Sequence, residues 1–191
     1  MNNVACLKIQ MKVEAISGWN YLLQKGFTLQ GQAGVSVREF LQNALGYDDC
    51  FIDETVRTIF LNSSPVDDID TAHIKEGDNL ALGSAMPGLV GICMGRDNPY
   101  KEFRSGISVK DESADESAVP ITVNVKIFST LAVESGEDVL KKGISINAAQ
   151  LAEFLEGRKK QVIDANGMGT EELIANLQKE EGEIQVTVAF S

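Results

Sequence analysis

A single histidine, His73, is the residue of this chain best suited by type to acid–base chemistry. A histidine that acts as a catalytic base needs a nucleophile or substrate within hydrogen-bond reach and a partner that orients its ring. Asp68 and Asp70 precede it and are near enough in sequence to orient the imidazole, whereas Ser63 and Ser64 belong to an NSSP turn. No nucleophile–base pair is evident in this arrangement. The sequence favours a structural or solvent-facing histidine.

The thiols are the second group of potentially reactive side chains. The three cysteines, Cys6, Cys50 and Cys93, are widely spaced. An odd number at such spacing excludes a self-contained disulfide framework, a CxxC redox pair and a four-cysteine zinc or iron–sulfur site. Arg96 follows Cys93 closely, and a cationic neighbour can activate a thiol. Because Cys93 lies in the apolar run LVGICM, the sequence favours a buried, unreactive thiol there.

Carboxylates are the third group, and Asp67, Asp68 and Asp70 suggest a site for a hard cation. Calcium takes about six to eight oxygen ligands from a loop of defined spacing. The D-x-[DN]-x-[DN]-G pattern of such a loop does not occur, because Gly77 and Asp78 stand too far along the chain. Turns, helix caps and a solvated acidic face explain these residues better. We therefore predict no metal site and no cofactor.

The overall charge excludes several classes of partner. The net charge is −11, and a phosphate backbone or an anionic membrane surface would repel such a chain. The first residues, MNNVACLKIQ, lack the basic start and apolar core of a signal peptide. No apolar run approaches the roughly 20 residues that span a bilayer. Together with the free thiols, these features predict a cytoplasmic protein without a nucleic-acid or membrane partner.

The first half of the chain predicts two strands, a helix and two further strands. LKIQMKVEAI alternates apolar and polar residues as a half-buried strand does, and KGFTL returns from it across a loose hairpin broken at Gly18 and Asn20. A capping box at Ser36 and Glu39 begins a helix with one apolar stripe, and Gly46 ends that helix. VRTIFL and NLALGSA supply the last two strands. A mixed sheet covered on one face by a helix is the β-grasp arrangement.

A similar pattern recurs in the second half. ITVNVKIF alternates again, a turn is predicted at 136–138, and KKGISI resembles the earlier QKGFTL. NAAQLAEFLEG predicts a helix that Asn147 caps and Gly157 ends. An additional helix, with Thr170 as its cap, is predicted over 171–179.

Spacing supports a repeat, because Val13 and Phe40 are separated by the same number of positions as Ile127 and Phe154. The fold class that follows is α+β, with two tandem β-grasp (ubiquitin-like) domains, each a mixed sheet covered by a helix. The predicted divisions are a β-grasp domain at 1–95, a linker with an acidic end at 96–118, and a second, modified domain with an extra helix at 119–191.

The stretch IFLNSSPVDDIDTAHIKEGDNLALGSAMPG, residues 59–88, resembles the ThiS/MoaD branch of the ubiquitin-like superfamily. VNVKIFSTL, residues 123–131, is similar to the opening strand of that family. Members are small carriers that hold sulfur as a C-terminal thiocarboxylate. The resemblance implies a β-grasp fold and a protein partner, including an adenylating or sulfur-transfer enzyme.

In that family a partner enzyme adenylates the carboxylate of a flexible C-terminal Gly-Gly. The corresponding place here is Pro87-Gly88-Leu89-Val90-Gly91, which has no Gly-Gly and is followed by the second half of the chain. Carrier chemistry would therefore require cleavage after Gly88 or Gly91 to expose a carboxylate.

The segment around this place is the predicted interaction site. LVGICM is apolar apart from Gly91, and each large side chain gains about 1.5–3 kcal/mol on burial, so we expect a packed connection and not a free tail. The candidate residues are Met86, Pro87, Gly88, Leu89, Val90 and Gly91. Trp19 and Tyr21 are further candidates for an exposed apolar surface, with core packing as the alternative, and Cys93 is a third.

The sequence thus predicts a non-enzymatic β-grasp protein that binds a protein partner or a small ligand. The alternative is a sulfur-carrier-like protein that needs cleavage after Gly88 or Gly91. An enzyme that uses His73 or Cys93 is disfavoured, since neither residue belongs to a recognisable catalytic constellation.

Overall fold

A computed structural model describes residues 6–85, 88–96, 98–104, 106–109 and 119–191. The strands within these residues are β1 Leu7–Met11, β2 Phe27–Gln32, β3 Thr58–Leu61, β4 Ser64–Pro65, β5 Asn79–Gly83, β6 Pro120–Phe128, β7 Ile144–Asn147, β8 Val162–Ala165 and β9 Glu183–Phe190. They form one mixed sheet in the order β4-β3-β5-β6-β2-β7-β9-β1-β8.

The helices in the described ranges are α1 Ile16–Lys25, α2 Val37–Phe40, α3 Asp49–Glu54, α4 Gly88–Met94, α5 Ser129–Lys142, α6 Ala148–Glu156 and α7 Thr170–Leu177. A π-helical turn, Leu41–Leu45, continues α2. The predicted α+β class is confirmed, whereas the strands belong to one sheet and not to two.

The chain divides into two compact units whose limits differ from the predicted boundaries at 95 and 119. Unit 1 combines residues 1–27 with 135–191, and unit 2 consists of residues 28–134. The physical reason is the pairing of strands distant in sequence. In unit 1, β1 runs parallel to β9, and in unit 2, β5 runs parallel to β6. Each parallel pair therefore joins one strand from each half of the chain.

Unit 2 has a sheet face whose side chains are buried. β6 alternates strictly between exposed and buried positions, and its buried residues Val125 and Ile127 lie beside Leu80 and Leu82 of β5. β3 pairs with β5 in antiparallel orientation. Apolar side chains of α2 and the π-helical turn are buried, namely Val37, Phe40, Leu41 and Leu45.

The predicted capping box at the start of α2 is confirmed. The Ser36 hydroxyl oxygen accepts a hydrogen bond from the Glu39 N–H at 3.2 Å, and the Glu39 carboxylate accepts one from the Ser36 N–H at 2.8 Å. Gly46 ends the π-helical turn with φ of 81°, a left-handed conformation that glycine adopts readily.

Unit 1 is built around β9. β7 pairs with β9 in antiparallel orientation, and β8 pairs in the same sense with β1. α6 begins as predicted, because the Asn147 side chain accepts a hydrogen bond from the Gln150 N–H at 3.2 Å. α7 also occurs, but its N-cap is Gly169 without a side-chain hydrogen bond, so the predicted cap at Thr170 was wrong.

Two predicted turns are wrong, because both glycine-containing segments are helical. The supposed hairpin around Gly18 is α1, and the supposed turn at 136–138 lies inside α5. A Cβ on Gly136 would lie 2.6 Å from Oδ1 of Asn20 and 3.0 Å from Cδ1 of Leu23. At Gly18 an added Cβ would collide with the guanidinium group of Arg158. Gly136 thus permits close approach of α5 to α1, Gly18 leaves room for the Arg158 side chain, and neither glycine interrupts its helix.

Candidate functional site

One face of the unit 2 sheet carries exposed side chains. We define the open face as Phe60, Ala81, Asn124, Lys126 and Phe128. The register places Ala81 between Phe60 of β3 and Lys126 of β6. Asn124 and Lys126 are exposed, Phe60 and Ala81 are half-buried, and Phe128 is 40% exposed.

The strand geometry fixes which side chains reach the open face. Successive side chains of a strand point to opposite faces, and the buried positions of β6 hold that strand in register. Two aromatic rings therefore flank a lysine and a small alanine on one surface. Within this set of residues Lys126 is the single charged group, and it is positive in a chain of net charge −11.

The chain leaves the end of β5 close to the open face. Ser84 follows β5, and its hydroxyl shares a hydrogen bond with the Thr130 hydroxyl at the start of α5. Gly88 then begins α4 with φ of +80° and is exposed. The predicted interaction segment is therefore partly helical.

The structure describes the candidates of that segment to different extents. Met86 and Pro87 lie outside them. Leu89 and Val90 lie in α4, and their side chains are outside what the structure describes. Gly91 accepts a hydrogen bond through its carbonyl oxygen from the Gly95 N–H at 3.1 Å, and Cys93 is a half-buried free thiol.

The chain beyond α4 is anchored to unit 2. The buried guanidinium of Arg96 donates to the carbonyl oxygens of Ile52 at 2.7 Å and Val56 at 3.1 Å. The Arg96 N–H donates to the carbonyl oxygen of Arg57 at 2.9 Å. The segment after β5 thus returns to the domain as a packed connection.

A second arginine strengthens this attachment. The Arg104 guanidinium donates to the Asp67 carboxylate at 2.6 Å and to the Gly95 carbonyl oxygen at 3.0 Å. Ser108 donates to the other oxygen of Asp67 at 2.8 Å, and the Val109 N–H donates to the Pro65 carbonyl oxygen at 3.0 Å. Sequence reasoning did not predict an anchoring role for either arginine, because their partners depend on tertiary structure alone.

The aromatic candidates of α1 differ from each other. Trp19 is fully buried; its ring N–H donates to the Met11 sulfur at 3.0 Å, and its centroid lies 4.7 Å from that of Phe154. Tyr21 is 58% exposed, and the Lys25 ammonium lies 5.0 Å from its ring centroid. Trp19 belongs to the core and offers no surface to a partner, because it lies on the buried side of α1.

Several of the acidic residues cluster around Arg38. Its guanidinium contacts the carboxylates of Asp70 at 2.6 Å, Asp53 at 3.1 Å and Asp49 at 3.2 Å. Hydrogen bonds to Asp70 and Asp53 raise the pKa of Arg38. Asp48 caps α3 by accepting from the Phe51 N–H at 2.7 Å. Among the described residues, no group of three or more His, Cys, Asp or Glu side chains is arranged to hold a metal.

His73 lies at a cavity in unit 2. The residue is half-buried and forms an isolated antiparallel bridge with Ser36. The cavity has a volume of about 240 Å³, and Ser64, Lys75 and Asp78 also line it. Sequence reasoning weighed Ser64 against His73 and found no nucleophile–base pair, and it did not predict that Lys75 and Asp78 join them at one cavity.

Comparisons with protein-family models, curated proteins and solved structures find no match to this chain. In the ranges that the structure describes, no helix has both the length and the apolar character needed to cross a membrane.

Proposed function

We propose that this chain is a non-enzymatic binding protein and that the open face contacts a protein partner. The observation that carries the proposal is the row Phe60–Ala81–Lys126, exposed or half-exposed beside Phe128. Aromatic residues are enriched in the buried centres of protein interfaces. A small residue between two larger ones leaves a shallow depression for an apolar side chain.

The charge of the open face indicates the chemistry of the partner. Lys126 is suited to pair with a carboxylate, while the net charge of −11 repels acidic proteins from the remaining surface. Electrostatic complementarity of this kind fixes the orientation of a complex and raises its association rate. The partner should therefore present an apolar side chain next to an aspartate or glutamate.

We also propose that unit 2 is a β-grasp-like domain of the ThiS/MoaD type in which β6 takes the place of the opening strand. Support comes from the central parallel pair β5–β6, from the antiparallel pair β3–β5, and from the position of α2 between β2 and β3. In this proposal the partner is a protein such as an adenylating or sulfur-transfer enzyme.

Site-specific photocrosslinking tests the open face directly. A photoreactive residue replaces Lys126 in one variant and Lys12, exposed in unit 1, in a control, and both are expressed in the native host. The expected result is one discrete crosslinked protein at position 126 and none at position 12. The crosslink should map next to an acidic residue of the partner.

Charge reversal supplies the second half of that test. Lys126→Glu should abolish co-purification of the same partner, whereas Lys12→Glu should leave it unchanged. Identical crosslinks at both positions, or full retention of the partner by Lys126→Glu, would contradict the proposed surface.

The sulfur-carrier alternative is favoured by one observation at Gly88. This residue is exposed, and a Cβ added to it would meet nothing within 4 Å, so the space beside it is open. Intact-mass measurement of protein from the native host tests this alternative. A fragment ending at Gly88 or Gly91, heavier by the exchange of one oxygen for sulfur, would support it. A single full-length mass would contradict it.

A further inference from the structure

The cavity beside His73 is lined by three parts of unit 2. One side consists of Leu61, Asn62 and Ser64 around the turn between β3 and β4, and the second consists of His73, Lys75 and Asp78. Ser108 and Val109 complete it. Its volume of about 240 Å³ lies below the roughly 300–1,000 Å³ of sites for drug-sized ligands. The cavity is suited to a small molecule.

The Asp78 carboxylate already has partners in the wall of the cavity. It is 7% exposed, and it accepts hydrogen bonds from the Asn62 side-chain amide at 2.8 Å and from the Lys75 N–H at 2.7 Å. Asn62 has φ of 51° and Ser63 φ of 71°, the left-handed pair typical of a tight hairpin turn. This turn directs the Asn62 amide toward Asp78. The carboxylate therefore stabilises the shape of the wall.

The neighbouring acid, Asp67, is also engaged. Both of its oxygens accept hydrogen bonds, one from Arg104 and one from the Ser108 hydroxyl. Ser108 contributes to the lining of the cavity, so this network holds the third side in place. Both acids near the cavity are thus hydrogen-bonded within unit 2.

The other polar groups of the lining favour an anion. Lys75 carries a positive charge and is exposed, and Ser64 supplies a hydroxyl group. His73 Nδ1 is buried without a hydrogen-bond partner among the described residues. Buried polar atoms usually have partners, and an exception calls for an explanation such as a bound water or ion.

We propose that this cavity binds a small molecule through a carboxylate or phosphate group, with Lys75 as the charged anchor and Ser64 and His73 as neighbouring contacts. Charge-assisted hydrogen bonds from an ammonium group to such oxyanions are among the stronger polar interactions. The site is independent of the open face, so either proposal can fail without the other.

The sole histidine makes the test unambiguous, because the imidazole signals in an NMR spectrum of the full chain belong to His73 alone. The protein is titrated at fixed pH with inorganic phosphate, with acetate, and with chloride at matched ionic strength. We expect a saturable shift of the His73 signals with phosphate, with acetate, or with both, and none with chloride. A response to phosphate alone identifies a phosphate ligand, and a response to acetate alone identifies a carboxylate.

Variants distinguish specific binding from a general effect of salt. Lys75→Gln should weaken binding by roughly tenfold, as expected for loss of one charge-assisted hydrogen bond. Lys160→Gln, at an exposed site in unit 1, should bind as the unmodified protein does. The backbone amide spectrum verifies that each variant is folded. Unchanged affinity in Lys75→Gln, or equal shifts with all three salts, would overturn the proposal.

Discussion

The guanidinium group of Arg96 donates a hydrogen bond at 2.7 Å to the carbonyl oxygen of Ile52, a residue at the core of α3. The same group reaches the Val56 carbonyl oxygen. The chain that follows α4 is thereby joined to the body of unit 2. These two hydrogen bonds hold the chain that follows α4 against unit 2.

Replacing Arg96 by methionine tests the anchor. The substitution keeps the aliphatic bulk but leaves two carbonyl oxygens in a buried setting without their donor. Because unsatisfied buried polar groups cost about 1–3 kcal/mol each, we expect the loss of two partners to lower the free energy of unfolding by about 2–6 kcal/mol. Urea denaturation measures this change.

Lys126→Met is the matched control, since Lys126 is exposed on the open face. Its effect should stay within about 0.5 kcal/mol. Hydrogen exchange of the Gly95 and Arg96 amides should accelerate in Arg96→Met alone. Equal stability of the two variants would show that Arg96 does not anchor the segment.

Local patterns predicted several elements correctly, because short-range physics determines them. The alternation of β6 and the capping box of Ser36 and Glu39 depend on residues close together in sequence. The carbonyl partners of Arg96 depend on contacts across 40 and 44 positions. The cavity at His73 likewise combines three distant segments, so no local pattern could predict it.

The two glycine errors have a common cause. Glycine lowers helix stability by about 1 kcal/mol relative to alanine, so Gly18 and Gly136 suggested turns. In the structure each glycine lies where a Cβ would collide with a side chain of another element. Tertiary packing therefore overrides the local preference.

Gly136→Ala should destabilise the protein even though alanine favours helices. The new Cβ would approach Oδ1 of Asn20 to 2.6 Å and Cδ1 of Leu23 to 3.0 Å. Overpacking of this kind costs about 1–3 kcal/mol, which outweighs the gain in helix propensity. Thermal or urea unfolding should show a net loss of stability.

Two further variants identify the collision as the cause. Gly106→Ala is the control, because a Cβ there meets nothing within 4 Å, and its effect should be small. Asn20→Ala should partly restore Gly136→Ala, and a double-mutant cycle measures the coupling. Strictly additive effects would contradict direct contact between the two sites.

Trp19 should report on the core of unit 1. It is the only tryptophan and is fully buried, so its fluorescence should resist quenching by acrylamide until the protein unfolds. Trp19→Phe removes the N–H donor to Met11, and we expect a loss of about 1–3 kcal/mol in the free energy of unfolding. Efficient quenching in the native state would contradict burial, while Tyr21→Phe, at an exposed site, should leave stability unchanged.

Cys50 is an exposed thiol that lies among acidic side chains. The Glu54 carboxylate, with contributions from desolvation and from Asp48 and Asp53, raises the pKa of Cys50 above its usual value. A raised pKa leaves less thiolate at a given pH, so alkylation by iodoacetamide should reach its half-maximal rate at a higher pH than for an unperturbed cysteine.

Glu54→Gln tests the origin of this shift. With Cys6 and Cys93 replaced by serine, the reaction reports on Cys50 alone. Because removal of the nearest negative charge stabilises the thiolate, the pH profile should move down and the rate at neutral pH should rise. Glu153→Gln, at an exposed site in unit 1, serves as the control and should leave the profile in place. A profile that Glu54→Gln does not move would show that the carboxylate of Glu54 does not control the thiol.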